Sequence, residues 1–363
     1  MLVDLDYFFA QCEEIKNPSI KDKPVVVCVY SGRSEDSGAV STANYIAREY
    51  GVKSGIPIYS AKKKLKDKDA VFLPVDHKFY SETSKNIMTI LRNYSDHFQQ
   101  AGIDEAYLDV TQKVKENFEE ANKLAQKIKK EIKIRQKLTC SIGIGPNKLI
   151  AKIAADVQKP DGLTIVKPEE VENFLSPLPI KRLLGVGRKT VKKMEDLGIE
   201  TIGDLTKYDV QKLITLFGKS SGIYFHNASM GIDDSPVQER EEAESISRIH
   251  TLKEDTSDLN IILEKADHLC EEVNERLVKR GLNFKTIGII IITTDLNMRT
   301  RSKTLKNPTN DFETLKKTVK ELFEKIITET TLEARRVGVK VSNFTKEKKK
   351  QKQLTDFIDI AKN

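Results

Sequence analysis

Met1-Leu2-Val3-Asp4-Leu5-Asp6-Tyr7-Phe8-Phe9-Ala10-Gln11-Cys12-Glu13-Glu14 opens the chain. Its first half, Met1 to Asp6, reads as a short strand, and helical text follows through Glu14. Further along, Tyr80 to Tyr94 reads as a helix and Ala106-Tyr107-Leu108-Asp109-Val110 as a strand. Phe118, Ala121, Leu124, Ala125, Ile128 and Ile132 then recur at helical spacing, one face packed on a sheet. Leu138 to Ile144 is strand text again, Lys148 to Val157 helix, and Leu163 to Val166 strand. That order suggests a ferredoxin-like sheet with residues 10–75 inserted after its first strand. Within the insertion, Lys23-Pro24-Val25-Val26-Val27-Cys28-Val29 is a buried strand. A Gly/Ser-rich stretch from Ser31 to Ser41 and helical text from Thr42 to Tyr50 follow, broken by Gly51 and Gly55-Ile56-Pro57. A chain that leaves a sheet and returns sets remote residues side by side.

At 363 residues the chain is too long for one ordinary core. Residues 167–232 are helical with short loops, and the polar, proline-marked residues 233–244 read as a linker. Residues 245–342 repeat a β-α-β-β-α-β order, and 343–363 form a lysine-rich tail. Hydrophobic residues make up 39% and charged residues 32%, as in a soluble globular protein. No apolar run approaches a membrane span, and carboxylates stand where a signal peptide would be greasy, so a cytoplasmic protein is expected. Cys12, Cys28, Cys140 and Cys270 lack C-x-x-C spacing and read as buried thiols. The net charge of +7 permits a polyanionic partner without requiring one.

Asp4 ends the first strand, and Asp104-Glu105 begins another. Transfer to a nucleotide 3′-hydroxyl needs one metal to activate the hydroxyl and another to hold the triphosphate, on carboxylates from converging strands. Three carboxylates and a backbone carbonyl, for which Leu5 is placed, would suffice. Neighbours on a regular strand face opposite sides, so Asp104 and Glu105 can share metals only at a strand end or bulge. Taken singly, such acids are more often a cap and an exposed turn.

Asp4-Leu5-Asp6-Tyr7-Phe8-Phe9-Ala10, Gly102-Ile103-Asp104-Glu105-Ala106-Tyr107-Leu108-Asp109 and Ser141-Ile142-Gly143-Ile144-Gly145-Pro146-Asn147-Lys148 resemble the palm motifs of Y-family DNA polymerases. The DNA polymerase IV branch, in its archaeal form, is the nearest likeness. Ala151 to Gly162 extends the resemblance, as do Ser31-Gly32-Arg33 through Tyr45, and the blocks run the length of the chain in order. Two departures are visible. Only three residues precede Asp4, which makes the first strand short for the family, and Gly102 stands where a serine is common. Neither removes a metal ligand.

The resemblance implies an α+β multidomain polymerase of low fidelity that extends primers past damaged template bases. It implies a ferredoxin-like palm (1–9 and 76–166), inserted fingers (10–75), a helix-hairpin-helix thumb (167–232) and an α/β little finger (245–342). Asp4, Asp104 and Glu105 would be catalytic and, with Leu5, would hold two Mg²⁺ ions, for which Mn²⁺ can substitute. Tyr45, Arg48 and Lys159 would grip the triphosphate, as their donor chemistry suits. Backbone N–H groups of Tyr7, Phe8 and Phe9 would add a cradle. Phe9 would be the sugar gate that excludes a 2′-hydroxyl, with Phe8 the core residue. Val29, Ala39, Ser41 and Gly55 would roof the new base pair, too small to test its shape tightly. The partners implied are primer–template DNA and deoxynucleoside triphosphates, bound by a monomer with no membrane contact. Two other readings stay open: a two-metal nuclease using the same carboxylates, and an inactive DNA-binding scaffold.

Leu183-Leu184-Gly185-Val186-Gly187-Arg188-Lys189 resembles a helix-hairpin-helix turn. Gly185 and Gly187 would admit a phosphate to the backbone, and Arg188, Lys189 and Lys192 would add charge. Phe217-Gly218-Lys219 is a poorer second candidate. In the last domain Arg299, Arg301 and Lys303 share one side of a strand, Arg336 and Lys340 repeat the pattern, and Arg248 is a third candidate. Together they predict a basic sheet face for duplex phosphates. In the tail, Gln351, Leu354, Phe357 and Ile358 have the spacing of a sliding-clamp-binding box behind a charged leash.

Overall fold

A computed structural model describes residues 1–239, 244–329 and 333–346. The chain divides into two compact units: Met1–Tyr30 with Gly38–Arg240, and Ser31–Ser37 with Glu241–Asn363.

The first unit begins with β1 (Leu2–Leu5) and α1 (Phe8–Lys16), followed by β2 (Val25–Tyr30), β3 (Gly38–Ala43), α2 (Tyr45–Glu49), α3 (Ile58–Lys64) and β4 (Val71–Pro74). The chain then forms α4 (His77–Arg92), β5 (His97–Gln100), β6 (Glu105–Asp109), α5 (Phe118–Gln136), β7 (Cys140–Ile144), α6 (Lys148–Ala155) and β8 (Leu163–Ile165). Five of these strands form one sheet in the order β5-β6-β1-β7-β8, while β3-β2-β4 form a separate one. Four strands of the larger sheet have the ferredoxin-like permutation, with β8 added beside β7. The segment between β1 and α4 leaves this sheet and builds its own, around Val26, Cys28, Val40, Ala43 and Ile58.

Alternation along β1 sorts its side chains. Val3 and Leu5 join the core with Ile87 and Leu91 of α4 and with Ala125, Ile128 and Ile132 of α5. Leu2 faces the other way and packs on Ala151 and Ala155 of α6. Asp4 is two residues on from Leu2, so it shares the α6 side. The helix approaches so closely that a Cβ on Gly143 would lie 2.0 Å from the Ala151 carbonyl oxygen, which only glycine avoids. Side-chain caps fix the starts of these helices: Asp76 accepts from Phe79 N–H, Asn117 from Glu119 N–H, and Asn147 from Ile150 N–H at 3.0 Å. Each such cap contributes about 1 kcal/mol.

Short helices complete this unit: α7 (Val171–Leu175), α8 (Arg188–Glu195), α9 (Ile202–Thr206), α10 (Val210–Phe217) and α11 (Lys219–Ser229). They share a core of Leu183, Met194, Ile202, Leu205, Leu213 and Phe225 with Ile150 and Ile153 of α6. Asp233 accepts from Leu149 N–H at 3.0 Å and ties the chain after α11 to the start of α6.

The second unit contains β9 (Ser245–Thr256), α12 (Leu259–Arg280), β10 (Leu282–Thr293), β11 (Met298–Thr309), α13 (Phe312–Thr328), β12 (Ala334–Ser342) and β13 (Thr345–Lys346). Its element order is also β-α-β-β-α-β, but the sheet runs β11-β10-β12-β9, a different permutation, with β13 pairing β10. Helices α12 and α13 cover the side that carries Ile287, Ile289, Ile291, Val337, Val339 and Val341. Strand β11 runs to Thr309 through Pro308, which an edge strand tolerates. All four cysteines are buried, and burial pushes their thiols up, to about 11 at Cys28 and about 12 at Cys12, Cys140 and Cys270. Among the described residues no helix is long and apolar enough to cross a membrane.

Candidate active site

Pairing of β1 with β6 sets Asp4 directly opposite Glu105, and the Leu5 N–H donates to the Asp104 carbonyl at 2.8 Å. Glu105 is the first residue of β6 and Asp104 lies just before it, outside the pleat. The strand end therefore escapes the alternation that would send the two carboxylates to opposite faces. Asp4, Leu5, Asp104 and Glu105 line a cavity of about 400 Å³ together with Tyr7, Phe8, Phe9, Ser41, Thr42, Tyr45, Arg48, Ser54, Lys152 and Lys159. Every metal and nucleotide residue expected from the sequence borders this one space. A second cavity, about 460 Å³, opens near Met1, Leu108 and Phe118 and touches none of them.

Charge in the cavity is arranged around two lysines. Lys152, on α6, donates to Asp4 Oδ2 at 2.9 Å and to Glu105 Oε2 at 2.6 Å. Lys159 ion-pairs with Asp4 Oδ1 and with Asp156 Oδ1, each at 2.7 Å. Burial pulls both ammonium groups down, but the surrounding carboxylates outweigh it and hold them above the ordinary lysine range. Asp104 is shifted up by burial, with Asp4 and Glu105 adding to the effect. Its carboxyl thus faces burial and negative charge that Lys152 does not fully offset.

Among the described residues no three His, Cys, Asp or Glu side chains are already drawn into a cage for an ion. The cation between Asp4 and Glu105 is instead the Lys152 ammonium. A seat that holds an ammonium between two carboxylates, beside a third short of positive charge, fits a hard divalent ion. Such ions take few carboxylates and complete their shell with substrate oxygens and water.

Opposite the acids stand the expected phosphate donors. Asn44 caps α2, accepting from Ala47 N–H at 3.0 Å, and so starts the helix that carries Tyr45 and Arg48. Arg48 is held by its Nε–H on the Ala43 carbonyl at 2.9 Å, with its guanidinium 4.7 Å from the Tyr45 ring centre. Tyr45 meets Tyr7 edge-on at 5.4 Å. Tyr7 sits at φ 35° before α1, which begins without a side-chain cap, so first-turn N–H groups remain open to an anion.

Phe8 is buried in the core, whereas Phe9 is half-buried and stacks on Tyr80 with ring centres 4.3 Å apart. Tyr80 is itself fixed, donating to Glu13 Oε1 at 2.6 Å. Val29 and Ala39 face each other across β2 and β3. With Gly55 they are exposed and lie outside the cavity lining, which Ser41 joins.

Gly185 adopts φ 78°, a left-handed turn that favours glycine, and Gly187 precedes α8. Arg188, Lys189 and Lys192 are exposed on α8, and Gly218 joins α10 to α11 with φ 84°.

Strand register overturns the single basic sheet face. Arg299, Arg301 and Lys303 lie opposite Ile291, Ile289 and Ile287, so they share the helix-covered side at its margin. There Lys303 pairs with Glu321 at 2.8 Å and Arg301 with Glu329, both on or just past α13. Arg248 lies opposite Val339, on the same side, and pairs with Glu272 of α12 at 2.8 Å. Arg336 and Lys340, opposite Ile292 and Gly288, occupy the open side. Hydroxyls of Thr251, Thr286, Ser302 and Thr304 share it, and Arg336 Nε–H donates to Thr251 Oγ1 at 3.0 Å. The sequence identified which residues alternate together but not which side the helices cover. Gln351, Leu354, Phe357 and Ile358 fall outside the described residues.

Lys152, which lines the cavity, and Tyr80, which backs Phe9, were not singled out by the sequence. Lys152 lay inside a motif block with nothing in the text to mark its contacts.

The impB/mucB/samB family model matches residues 3–156 and its C-terminal-domain model residues 243–355; a DNA polymerase-iota thumb-domain model matches 181–233. A curated DNA polymerase IV of Nitrosopumilus maritimus is 51% identical over 98% of both chains. One of Methanosarcina acetivorans is 47% identical over 98% of both. Among solved structures, the Y-family DNA polymerase chimera Dbh-Dpo4(243-245)-Dbh is similar with a TM-score of 0.90 and 37% identity, over 95% of this chain and 98% of that one. An insertion ternary complex of Dbh DNA polymerase is similar at a TM-score of 0.69 and 36% identity, over 95% and 98%.

Proposed function

The chain belongs to the Y-family of DNA polymerases, in the DNA polymerase IV branch, and we propose that its cavity joins an incoming deoxynucleoside triphosphate to a primer 3′-end by two-metal nucleotidyl transfer. The protein is a template-directed translesion DNA polymerase. One observation carries the assignment of residues: Asp4, Asp104 and Glu105 share a cavity with Tyr45, Arg48 and Lys159. A divalent metal is general to the family, and Mg²⁺ suits this all-oxygen donor set; two ions would sit on Asp4, Asp104, Glu105 and the Leu5 carbonyl. When bound, the ions would activate the 3′-hydroxyl and neutralise charge on the triphosphate.

The protein's own side chains position the reactants. Arg48 presents a planar, permanently charged fork to phosphate oxygens, Tyr45 a neutral donor, and Lys159 a point charge. Phe9, backed by the Tyr80 ring, forms a wall where a ribose 2′-hydroxyl would project. The side chains of Val29, Ala39, Ser41 and Gly55 are small, so discrimination by base-pair shape is weak there. Primer–template DNA would be held through backbone N–H groups at Gly185 and Gly187, with Arg188, Lys189 and Lys192. The open sheet side with Arg336 and Lys340 would contribute further phosphate contacts.

The tail residues Gln351, Leu354, Phe357 and Ile358 are assigned to a sliding clamp, which would raise the local concentration of a monomeric enzyme at primer ends. Asp104→Ala and Glu105→Ala test the centre on primed template with Mg²⁺ and deoxynucleotides. Loss of extension with DNA binding retained is expected, and near-normal extension by either variant sinks the metal assignment.

A further inference from the structure

Asp6 is the second aspartate of the Asp4-Leu5-Asp6 motif, yet it does not border the cavity. It is 1% exposed, and no described lysine or arginine pairs with its carboxylate. Its charge is met by three donors instead. Ser141 Oγ–H donates to Oδ1 at 2.7 Å, while Thr139 Oγ–H and the Asp161 backbone N–H each donate to Oδ2 at 2.9 Å. Ser141 Oγ in turn accepts from Gly162 N–H at 3.2 Å.

Two of these links run to one place, the turn that follows Lys159. Asp161 holds a left-handed φ of 54°, a conformation that costs a residue with a Cβ and that its hydrogen bonds here hold in place. Asp6 grips its N–H from below, and Lys129 grips its carboxylate at 2.7 Å and the Gly162 carbonyl at 3.0 Å from the side. A buried ionised carboxylate is expensive unless fully hydrogen-bonded, so a site that retains one has a use for its acceptor strength.

We propose that Asp6 is a positioning residue that clamps the Asp161–Gly162 turn to the sheet and thereby sets Lys159 over the triphosphate site. The proposal rests on the reading of Lys159 as a triphosphate ligand. Asp6 touches neither metal nor nucleotide and acts through the backbone two residues beyond Lys159. Removing its acceptor frees the turn, and the ammonium group spends less time where a phosphate would lie. The loss falls on nucleotide affinity more than on turnover.

The test is single-nucleotide incorporation by the full chain on primed template, measured for Asp6→Ala, Lys159→Ala and the double variant, with thermal unfolding as a folding control. Asp6→Ala should raise KM for the nucleotide roughly tenfold with a smaller change in kcat, the pattern of binding lost equally from ground and transition states. In the Lys159→Ala background it should add less than about twofold, because the group it positions is gone. Asp6→Asn can keep an oxygen on Asp161 and give its amide to Ser141, so it should recover most of the affinity. If Asp6→Ala does not fold, Ser141→Ala removes the second strut without emptying the site and should show a smaller KM rise with the same dependence on Lys159. Equal penalties with and without Lys159 overturn the clamp. A Lys159→Ala enzyme with unchanged KM overturns the triphosphate reading itself, and the clamp with it.

Discussion

Arg336 and Lys340 stand exposed on the uncovered side of the C-terminal sheet, while Arg301 and Lys303 are paired with Glu329 and Glu321 on the helix side. Replacing Arg336 and Lys340 together with alanine should therefore weaken DNA binding, and the comparison pair Arg301→Ala/Lys303→Ala should weaken it far less. The magnitude follows from counterion release: each phosphate contact contributes about 0.9 to the log–log salt slope, so two contacts contribute about 1.8. Over a roughly fourfold rise in salt, such as about 50 to 200 mM, that share corresponds to about a tenfold loss of affinity which the Arg336/Lys340 variant no longer undergoes. Fluorescence anisotropy of a labelled primer–template across this range measures both slopes. Equal shrinkage in the two variants, or a larger effect from Arg301 and Lys303, would refute the reasoning from register.

Phe9→Ala should admit ribonucleotides while deoxynucleotide incorporation continues, because the Tyr80 ring remains as the back of the pocket; an unmoved ribo-to-deoxy ratio would show that Phe9 walls off nothing. Lys152→Met removes the cation between Asp4 and Glu105 and should lower the metal-free Tm while tightening Mn²⁺ binding in calorimetry. Weaker Mn²⁺ binding would mean that Lys152 organises the acids rather than competing for them. Phe357→Ala, or deletion of Gln351 to Asn363, should abolish stimulation by a sliding clamp and spare clamp-free extension; stimulation that survives removes the tail from the account. At neutral pH the four cysteines should resist alkylation until the protein unfolds, since burial raises every thiol well above the ordinary range. Rapid labelling of the folded protein would contradict that burial.

Local text was enough wherever one element carried its own signal. The β-branched run at Val25–Val29, the helical stripe from Phe118 to Ile132 and the order of elements in residues 245–342 could be read from periodicity. The motif blocks around Asp4, Asp104 and Lys159 named the candidate site residues by resemblance, and these residues border one cavity. Elements without an apolar signature were missed. His97-Phe98-Gln99-Gln100 is a polar edge strand, and Gly38–Ala43 sat inside text that looked like a loop.

Pairing decided the rest, because a linear pattern gives the period of a strand and not its neighbours. The same β-α-β-β-α-β order closed into two different sheet permutations, and that choice rests on which apolar faces meet. Alternation alone put Arg299, Arg301 and Lys303 together, but only register against Ile291, Ile289 and Ile287 placed them on the helix-covered side. Lys152 reaches Asp4 because α6 packs against the side of β1 that Leu2 and Asp4 share. Asp6 reaches Asp161 across 155 residues of chain because β1 lies beside β7 and the turn after Lys159 returns to that edge. Contacts of that length are made by the burial of whole faces, and no local stretch of sequence contains them.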